Sequence, residues 1–327
     1  MNLSDEILSV LKGGKNLLAF SYGSDSTALF YALLGEGIEF DLAMINYKMR
    51  AQSDEEELLA RALAREFDKK IFVKIAPKFT SDFQHKARAF RYEFFAKICA
   101  EFGYTNLLVA HHLNDRFEWF LRQFARGAGV VELLGMKELE KRANFTLVRP
   151  FLNTPKAEIL AFLEEKKIKF FIDESNENEK YERNFIRKHF ATPFLEEFSA
   201  GVKKSFAYLE KDTRNLCDDE VAEFMGILVC AKNESIIAKA VKQKGVVLSA
   251  KQRKELAKGD CVLSNKVGVA FMNDKALIFE YEKCQKIPKK FKENYRKARI
   301  PKLLRAYLYN HSIDEKELVA WVCADCA

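Results

Sequence analysis

Short apolar runs alternate with longer helical patterns along the first half of the chain. The runs occupy residues 16–20, 40–46, 70–75, 106–110 and 145–148, and they are apolar along their length rather than at every second position. Such runs are typical of parallel strands covered on both faces, and helices between them indicate βαβ connections. The pattern therefore predicts an α/β domain with a doubly wound parallel sheet.

The segments between these runs have helical character. Residues 53–67 begin with Ser53 followed by three acidic residues, which favour a helix N-terminus. Residues 82–102 carry Arg88, Arg91 and Tyr92 at spacings of three and four, so a helix there places these side chains on or near one face.

The chain beyond residue 216 has a different pattern. Residues 267–271 and 276–279 flank a predicted hairpin turn, and residues 251–258 and 288–309 are predicted to be helical. We therefore expect a smaller α+β C-terminal domain. The predicted division is a catalytic domain over 1–200, a helical linker over 201–215 and a C-terminal domain over 216–327.

Composition narrows the class of protein. The 327 residues contain no apolar run near the ~18 needed to cross a bilayer, and an acid stands early in the chain, so we expect a soluble, cytoplasmic protein. The seven cysteines are odd in number and scattered, which argues against a disulfide framework. Cys323 and Cys326 have the spacing of a metal or redox pair, but no second pair accompanies them.

Positive charge is concentrated near the C-terminus. Residues 281–305 hold seven Lys and three Arg against two Glu, a surplus of eight, whereas the whole chain has a net charge of +7. This segment is either the solvated face of a basic helix or a contact surface for a phosphate backbone, and the count alone leaves both interpretations open.

The stretch FSYGSDSTALF, residues 20–30, links the first predicted strand to a helix. Unpaired N–H groups and the positive end of the helix dipole make such a place suitable for anions. Its hydroxyl groups can donate to phosphate oxygens, and Asp25 can hold a magnesium ion that bridges the phosphates. The alternative is a capping cluster that satisfies the first helical turn. The spacing fits neither the Walker pattern nor the dinucleotide pattern.

Residues 21–26, SYGSDS, resemble the SGGxDS pyrophosphate loop of the N-type ATP pyrophosphatases, also called the PP-loop superfamily. Tyr22 stands where that superfamily has its first glycine. A side chain there would crowd the phosphates or disfavour a positive φ, so a reshaped nucleotide site is an alternative. The resemblance implies that ATP is bound by Ser21, Tyr22, Gly23, Ser24, Asp25, Ser26 and Thr27.

Residues 110–129, AHHLNDRFEWFLRQFARGAG, are similar to the AHHxDDxxET…RG.G segment of the tRNA(Ile)-lysidine synthetases. Asn114 replaces an acid of that segment and Trp119 replaces a threonine. The alternative is that His111 caps the strand while Asp115 and Glu118 lie on a solvated helix face. Further segments resemble the same family: residues 86–92, 148–152 with 156–159, and 173–176 with 183–187 (RNFIR), while residues 291–305 resemble its C-terminal domain loosely.

The resemblance implies an enzyme that modifies the wobble cytidine of the isoleucine tRNA with a CAU anticodon. ATP adenylates the cytosine, and free lysine then displaces AMP. The implied catalytic residues are Asp25, His112, Asp115 and Glu118, with Asp25 also holding Mg²⁺ through the phosphates. The implied tRNA-binding residues are Arg88, Arg91, Arg126, Arg183, Asn184, Arg187, Lys289, Lys290, Lys292 and Arg296. The alternative for Arg183 and Arg187 is a helix face neutralised by nearby acids such as Glu174, Glu177 and Glu182.

Other functions remain open at this point. A tRNA cytidine thiolase of the same superfamily needs paired CxxC motifs, and residues 1–200 contain one cysteine, Cys99. A synthetase of the GMP or NAD type would lack the RNFIR element and the basic segment. A non-catalytic tRNA-binding protein with a decayed loop fits Tyr22, Asn114 and Trp119. The sequence does not fix the oligomeric state, and a homodimer is one alternative.

Overall fold

A computed structural model describes residues 3–48, 52–79, 83–171, 182–216, 221–283 and 286–324. The chain forms two compact units, one of residues 1–119 and 136–203 and one of residues 120–135 and 204–327. Residues 120–135 thus group with the second unit, although the predicted division placed them in the first domain. The functional division into a catalytic and a tRNA-binding domain stays a prediction. Residues 173–176 and Cys326 lie outside the described residues.

The first unit is built on a six-stranded sheet. Its strands are β1 (Asn16–Ala19), β2 (Phe40–Asn46), β3 (Ile71–Ile75), β4 (Asn106–Leu108), β5 (Leu139–Lys141) and β6 (Thr146–Val148). Their order is β3-β2-β1-β4-β6-β5, and neighbours pair in parallel except β5 with β6. The doubly wound parallel sheet is confirmed. The antiparallel edge strand β5 was not predicted, because three half-exposed residues carry no apolar run.

The helices up to residue 216 are α1 (Asp5–Lys12), α2 (Ser24–Gly35), α3 (Gln52–Glu66), α4 (Phe83–Phe102), α5 (Leu113–Phe124), α6 (Val130–Leu133), α7 (Lys156–Glu165), α8 (Glu182–Ile186), a π-helix (Arg187–Ala191) and α9 (Thr192–Leu216). Of these, α6 belongs to the second unit, as do the last residues of α5 and of α9. α2 is buried along most of its length and packs against α7. Fully buried residues such as Leu18, Phe30 and Leu42 form the main core between these helices and the sheet.

The sheet topology fixes where a ligand site can form. β1 has β2 on one side and β4 on the other, so the strand order reverses between β1 and β4. In open parallel sheets the crevice at such a reversal, beyond the carboxyl ends of the strands, is the usual place for a ligand. The loop 20–23 follows β1, and residues 109–112 follow β4, so both segments lie at this crevice.

The second unit contains an antiparallel sheet. Its strands are β7 (Ala222–Phe224), β8 (Ile227–Ala231), β9 (Cys261–Leu263), β10 (Val267–Met272) and β11 (Lys275–Glu280), and its remaining helices are α10 (Glu234–Gln243), α11 (Ala250–Leu256), α12 (Lys289–Lys297), α13 (Arg305–Asn310) and α14 (Glu315–Ala324). The strand order is β7-β8-β11-β10-β9. The predicted hairpin is confirmed by the pairing of Met272 with Lys275.

The helix predicted over 288–309 is wrong, because α12 and α13 are separate. Arg299 adopts a left-handed φ of 56°, and Pro301 follows two residues later. A left-handed residue ends a helix, and proline cannot donate the backbone hydrogen bond that would continue it. Among the described residues, no helix has both the length and the apolar character needed to cross a membrane.

Candidate active site

The loop between β1 and α2 folds over the first turn of the helix. The Ser21 N–H group donates to Ser26 Oγ at 3.2 Å, and Ser26 Oγ donates to the Gly23 carbonyl at 3.2 Å. Gly23 is extended, with φ −73° and ψ 164°, and is the N-cap of α2 without a side-chain hydrogen bond. The N–H groups of the first turn are therefore not capped by the residue that precedes them, which suits an incoming anion.

Tyr22 adopts the left-handed conformation that a glycine would favour, with φ 59°. Its ring packs on the main core, 5.4 Å from the ring of Phe20 and 5.5 Å from that of Phe171. The Tyr22 carbonyl accepts a hydrogen bond from the Phe171 N–H group at 3.0 Å. The side chain therefore lies against the core, and these ring contacts compensate for a backbone conformation that costs a non-glycine residue about 1–2 kcal/mol.

The side chain of Lys156 contacts the start of α2 beside this loop, although the sequence analysis did not name it as a site residue. Its Nζ donates to Ser24 Oγ at 2.6 Å and to Asp25 Oδ1 at 2.5 Å. Lys156 is the first residue of α7, and its N–H group donates to the side chain of Asn114 at 3.0 Å. Asn114, which replaces an acid of the family motif, therefore holds the helix end that carries the lysine. The available signal was a basic residue directly after Pro155 within a family-like segment.

His112 lies between two carboxylates. Its Nε2 atom is 3.6 Å from Asp25 Oδ2 and 3.5 Å from Asp115 Oδ2. The backbone N–H group of His112 donates to Asp115 Oδ2 at 3.1 Å. Burial lowers the pKa of His112, but the charges of Asp115 and Asp25 outweigh burial and raise that pKa above its usual value. Burial raises the pKa of Asp25, but the contact with His112 and the charge of Lys156 leave it below the ordinary range.

Two atoms near this centre are buried without a partner. Neither His112 Nδ1 nor Thr27 Oγ1 has a hydrogen-bond partner among the described residues. An unsatisfied buried polar atom costs about 1–3 kcal/mol, and such atoms at an active site are expected where a ligand completes the network. Both atoms lie in segments that follow the carboxyl ends of the central strands.

Asp115 and Glu118 are buried on α5, so the alternative that they lie on a solvated face is wrong. Arg183 bonds to Asp115 through Nη2 and to Glu118 through Nε at 2.7 Å, and Arg187 Nε donates to Glu118 at 2.6 Å. Burial raises the pKa of Asp115, but His112 and Arg183 outweigh burial and hold that pKa well below its usual range. Asp115 and Glu118 thus neutralise the two arginines, while Glu174 and Glu177, which the alternative named, lie outside the described residues.

His111 contacts a buried cation, Arg149. Arg149, which is 3% exposed, donates from Nε to His111 Nδ1 at 3.3 Å and from Nη2 to Glu140 at 2.9 Å. Burial, together with the positive charge of Arg149, lowers the pKa of His111 to about 3, so this imidazole is neutral at physiological pH. The sequence analysis noted Arg149 within a motif without giving it a role.

The residues expected to bind tRNA fall into separate groups. In the first unit, Arg88 and Arg91 are exposed on α4; Arg88 lies over the Tyr92 ring at 4.9 Å, and Arg91 Nε donates to the Tyr47 hydroxyl at 3.2 Å. Asn184 is half-buried between Arg183 and Arg187. The remaining expected tRNA-binding residues lie in the second unit, and all of them are exposed: Arg126, Lys289, Lys290, Lys292 and Arg296. Within α12, Tyr295 is the buried anchor opposite the basic face.

The Asp25 carboxylate suits a magnesium ion that also binds phosphates. Its side chain is 34% exposed and presents oxygen atoms at the loop. Mg²⁺ is usually held by one or two carboxylates plus substrate phosphates, so a single carboxylate at an anion-binding loop fits this ion.

Comparison with known proteins agrees with this geometry. Residues 2–193 match the PP-loop domain family. The chain is 62% identical over 319 residues to a tRNA(Ile)-lysidine synthase of Campylobacter jejuni, covering 97% of this chain and 99% of the relative. It is 39% identical over 309 residues to the tRNA(Ile)-lysidine synthase of Helicobacter pylori, covering 92% and 91%.

Among solved structures, a U34-tRNA thiolase, NcsA, from Methanococcus maripaludis has a TM-score of 0.52 at 16% identity, covering 64% of this chain and 75% of that one. At this identity the likeness concerns the fold. The match to the PP-loop domain and the near full-length identity to the curated relatives carry the assignment: this chain belongs to the tRNA(Ile)-lysidine synthase family.

Proposed function

We propose that this protein joins free lysine to carbon 2 of the wobble cytidine of the isoleucine tRNA with a CAU anticodon. The cytosine oxygen on carbon 2 attacks the α-phosphorus of ATP and pyrophosphate leaves. The side-chain amine of lysine then attacks carbon 2, the bond to the adenylate oxygen breaks, and AMP leaves. Family membership supports the reaction. The observation that supports this location of the reaction is a chain of contacts: Lys156 contacts Asp25 at the loop, Asp25 lies next to His112, and His112 lies next to Asp115.

The loop is suited to stabilise the leaving pyrophosphate. Backbone N–H groups at the start of α2 and the Lys156 ammonium would face the phosphate oxygens, where negative charge increases as pyrophosphate leaves. Magnesium held through Asp25 would supply further charge neutralisation there. Lys156 now contacts Asp25, and we propose that the phosphates of ATP share this ammonium when bound.

Two of the implied catalytic residues, His112 and Asp115, have pKa shifts in opposite directions, and this difference supports a choice of base. Lysine reaches the site as an ammonium ion with an ordinary pKa of about 10.4, so the nucleophile must lose a proton. The pKa of Asp115 is depressed by His112 and Arg183, which makes its carboxylate a poor proton acceptor. The pKa of His112 is raised by its two carboxylate neighbours, which favours proton uptake. We propose that the neutral form of His112, which is populated above its raised pKa, accepts the proton, while Asp115 and Glu118 hold Arg183 and Arg187 in place.

The thiolase alternative gains no support from the structure. Cys99 is buried, and burial raises the pKa of its thiol to about 12, so the reactive thiolate is disfavoured. The alternative of a non-catalytic tRNA-binding protein is tested directly below.

The test is ATP-dependent incorporation of labelled lysine into a transcript of the CAU-anticodon isoleucine tRNA. The matched control substrate is the methionine tRNA with the same anticodon, which should remain unlabelled. Asp25→Asn should abolish labelling. If the isoleucine transcript binds the protein but takes up no label with ATP, magnesium and lysine present, the proposed reaction is wrong and the non-catalytic alternative stands.

A further inference from the structure

Four phenylalanines form an exposed row in the first unit. Phe185, Phe190, Phe194 and Phe198 have 45%, 53%, 46% and 54% of their surface exposed. Single exposed apolar side chains are common on soluble proteins, but a contiguous group of large ones marks an interaction surface. The row, defined by these four residues, has no role in the chemistry proposed above.

Ring contacts link the row in pairs. Phe190, Phe194 and Phe198 repeat every four residues, but Phe190 belongs to the π-helix and Phe198 has a non-helical backbone, with φ −119° and ψ 18°, at a kink in α9. Phe185 lies five residues before Phe190, and the intervening π-helix, Arg187–Ala191, closes its turns over five residues. The π turn thus brings Phe185 beside Phe190, with ring centroids 5.9 Å apart. The Phe194 and Phe198 centroids are 5.0 Å apart.

The row is attached to the helix that carries the catalytic carboxylates. The ring of Phe194 stacks on Phe117 of α5 with centroids 5.3 Å apart. Phe185 is two residues beyond Arg183, whose guanidinium bonds to Asp115 and Glu118. A polymer that presents one base to the Asp115 region would therefore bring its neighbouring residues to this row.

Cationic side chains lie beside the aromatic ones. Arg183 and Arg187 belong to the same segment as the row and keep 41% and 28% of their side chains exposed while bonded to carboxylates. Lys188 is also exposed. Aromatic rings interleaved with Lys and Arg are the arrangement by which proteins hold unpaired nucleotides, since the rings stack on bases and the cations meet phosphates. Because Arg183 and Arg187 are already paired with Asp115 and Glu118, the rings rather than the cations would supply most of the affinity, and continuity with the carboxylates of α5 favours RNA as the occupant.

We propose that the row is a stacking surface for unpaired bases of the tRNA anticodon loop that flank the reacting cytidine. The proposal rests on the proposed function, because that function brings an anticodon loop to the catalytic carboxylates. The contact is non-covalent and sequence-tolerant, so it contributes tRNA affinity and positions the loop rather than reading its bases.

The test compares Phe190→Ala, Phe198→Ala and the double variant with Phe102→Ala. Phe102 is a matched control, because it is 43% exposed in the same unit and its carbonyl accepts from Lys15, before β1, at the amino-end edge of the sheet. The measurement is the Kd of the isoleucine tRNA transcript over a series of salt concentrations. A second transcript with 2-aminopurine at unpaired anticodon-loop positions reports stacking by its fluorescence.

We expect each row substitution that removes one stacked base to weaken binding about 5- to 150-fold. The dependence of log Kd on log salt should not change slope, because no phosphate contact is lost. The quenching of 2-aminopurine should fall in the row variants and persist in Phe102→Ala. Phe190→Trp and Phe198→Trp retain a stacking ring and should bind like the wild type.

Unchanged affinity and quenching in the double variant would overturn the proposal. A change in sedimentation from dimer to monomer with unchanged tRNA affinity would also overturn it, and would assign the row to a contact between two copies of the chain. Binding is measured without ATP or lysine, so the outcomes separate. If the wild type quenches 2-aminopurine but ligates no lysine, only the proposed function is refuted. If it ligates lysine but the row variants keep their tRNA affinity and quenching, only the stacking role of the row is refuted.

Discussion

The position of the Tyr22 ring can be tested by comparing Tyr22→Ala with Tyr22→Gly. Both variants remove the ring contacts with Phe20 and Phe171, but only the glycine variant relieves the left-handed backbone at φ 59°. The comparison therefore separates ring packing from backbone strain at the residue that departs from the family's glycine.

The expected magnitudes follow from the contacts. The ring is half-buried, so we expect Tyr22→Ala to lower the free energy of unfolding by about 2 kcal/mol, roughly half the cost of deleting a fully buried aromatic ring. Glycine regains about 1–2 kcal/mol of backbone strain and loses about 0.4–1 kcal/mol through the entropy of the unfolded chain. Tyr22→Gly should therefore be more stable than Tyr22→Ala by roughly 0.8 kcal/mol, the middle of a span of about 0–1.6 kcal/mol.

The assays are urea unfolding for stability and calorimetric titration with ATP and magnesium for binding. Because the ring lies against the core, its removal frees no space for phosphates, and we expect ATP affinity to change by less than about threefold, which is below 1 kcal/mol. Tyr31→Ala, at a half-buried tyrosine of α2 outside the loop, controls for a general loss of packing. A gain in ATP affinity of tenfold or more in both Tyr22 variants would mean that the ring occupies the phosphate hollow, and would refute this reasoning.

Three further predictions concern the charges of the site. Lys156→Met should lower kcat/KM for ATP about ten- to a hundredfold, because hydrogen bonds to charged groups contribute about 1.5–3 kcal/mol. Steady-state kinetics, with Lys156→Arg as the conservative control, checks this prediction. Glu118→Gln should lower the free energy of unfolding by about 1–3 kcal/mol, since a fully buried carboxylate that accepts hydrogen bonds from two arginines is lost. A double-mutant cycle with Arg187→Met should give a coupling energy above about 0.5 kcal/mol, and additive effects would contradict the ion pair. The lowered pKa of Asp115 contributes stability above about pH 3.9 that is lost as pH falls through the folded pKa, whereas the raised pKa of His112 contributes stability below about pH 6.5 that is lost as pH rises through its folded pKa. Unfolding free energies measured from pH 3 to 9 should therefore flatten on the acid side in Asp115→Asn and on the alkaline side in His112→Gln; unchanged slopes would contradict the assigned directions.

The local sequence determined the elements of the first unit and the kind of loop that they support. The runs at 40–46 and 106–110 became the strands on either side of β1 in the central sheet because continuous apolar residues can be buried on both faces. The small and hydroxyl residues of 21–27 indicated a turn suited to anions because their chemistry is local to one strand end. The short edge strand β5 escaped prediction, since three residues carry no periodicity. For the break between α12 and α13, Pro301 was a local signal, whereas the left-handed φ of Arg299 has no local signature.

Tertiary structure alone decided which groups face one another in the site. The contact of Lys156 with Asp25 spans 131 residues, and the contact of Arg183 with Asp115 spans 68, so neither spacing is encoded in a local pattern. The direction of the Tyr22 ring likewise depends on Phe171, whose segment reaches the loop only in the folded chain. Hydrophobic periodicity specifies which face of an element is buried, whereas side-chain partners and the resulting pKa shifts depend on how distant elements pack together.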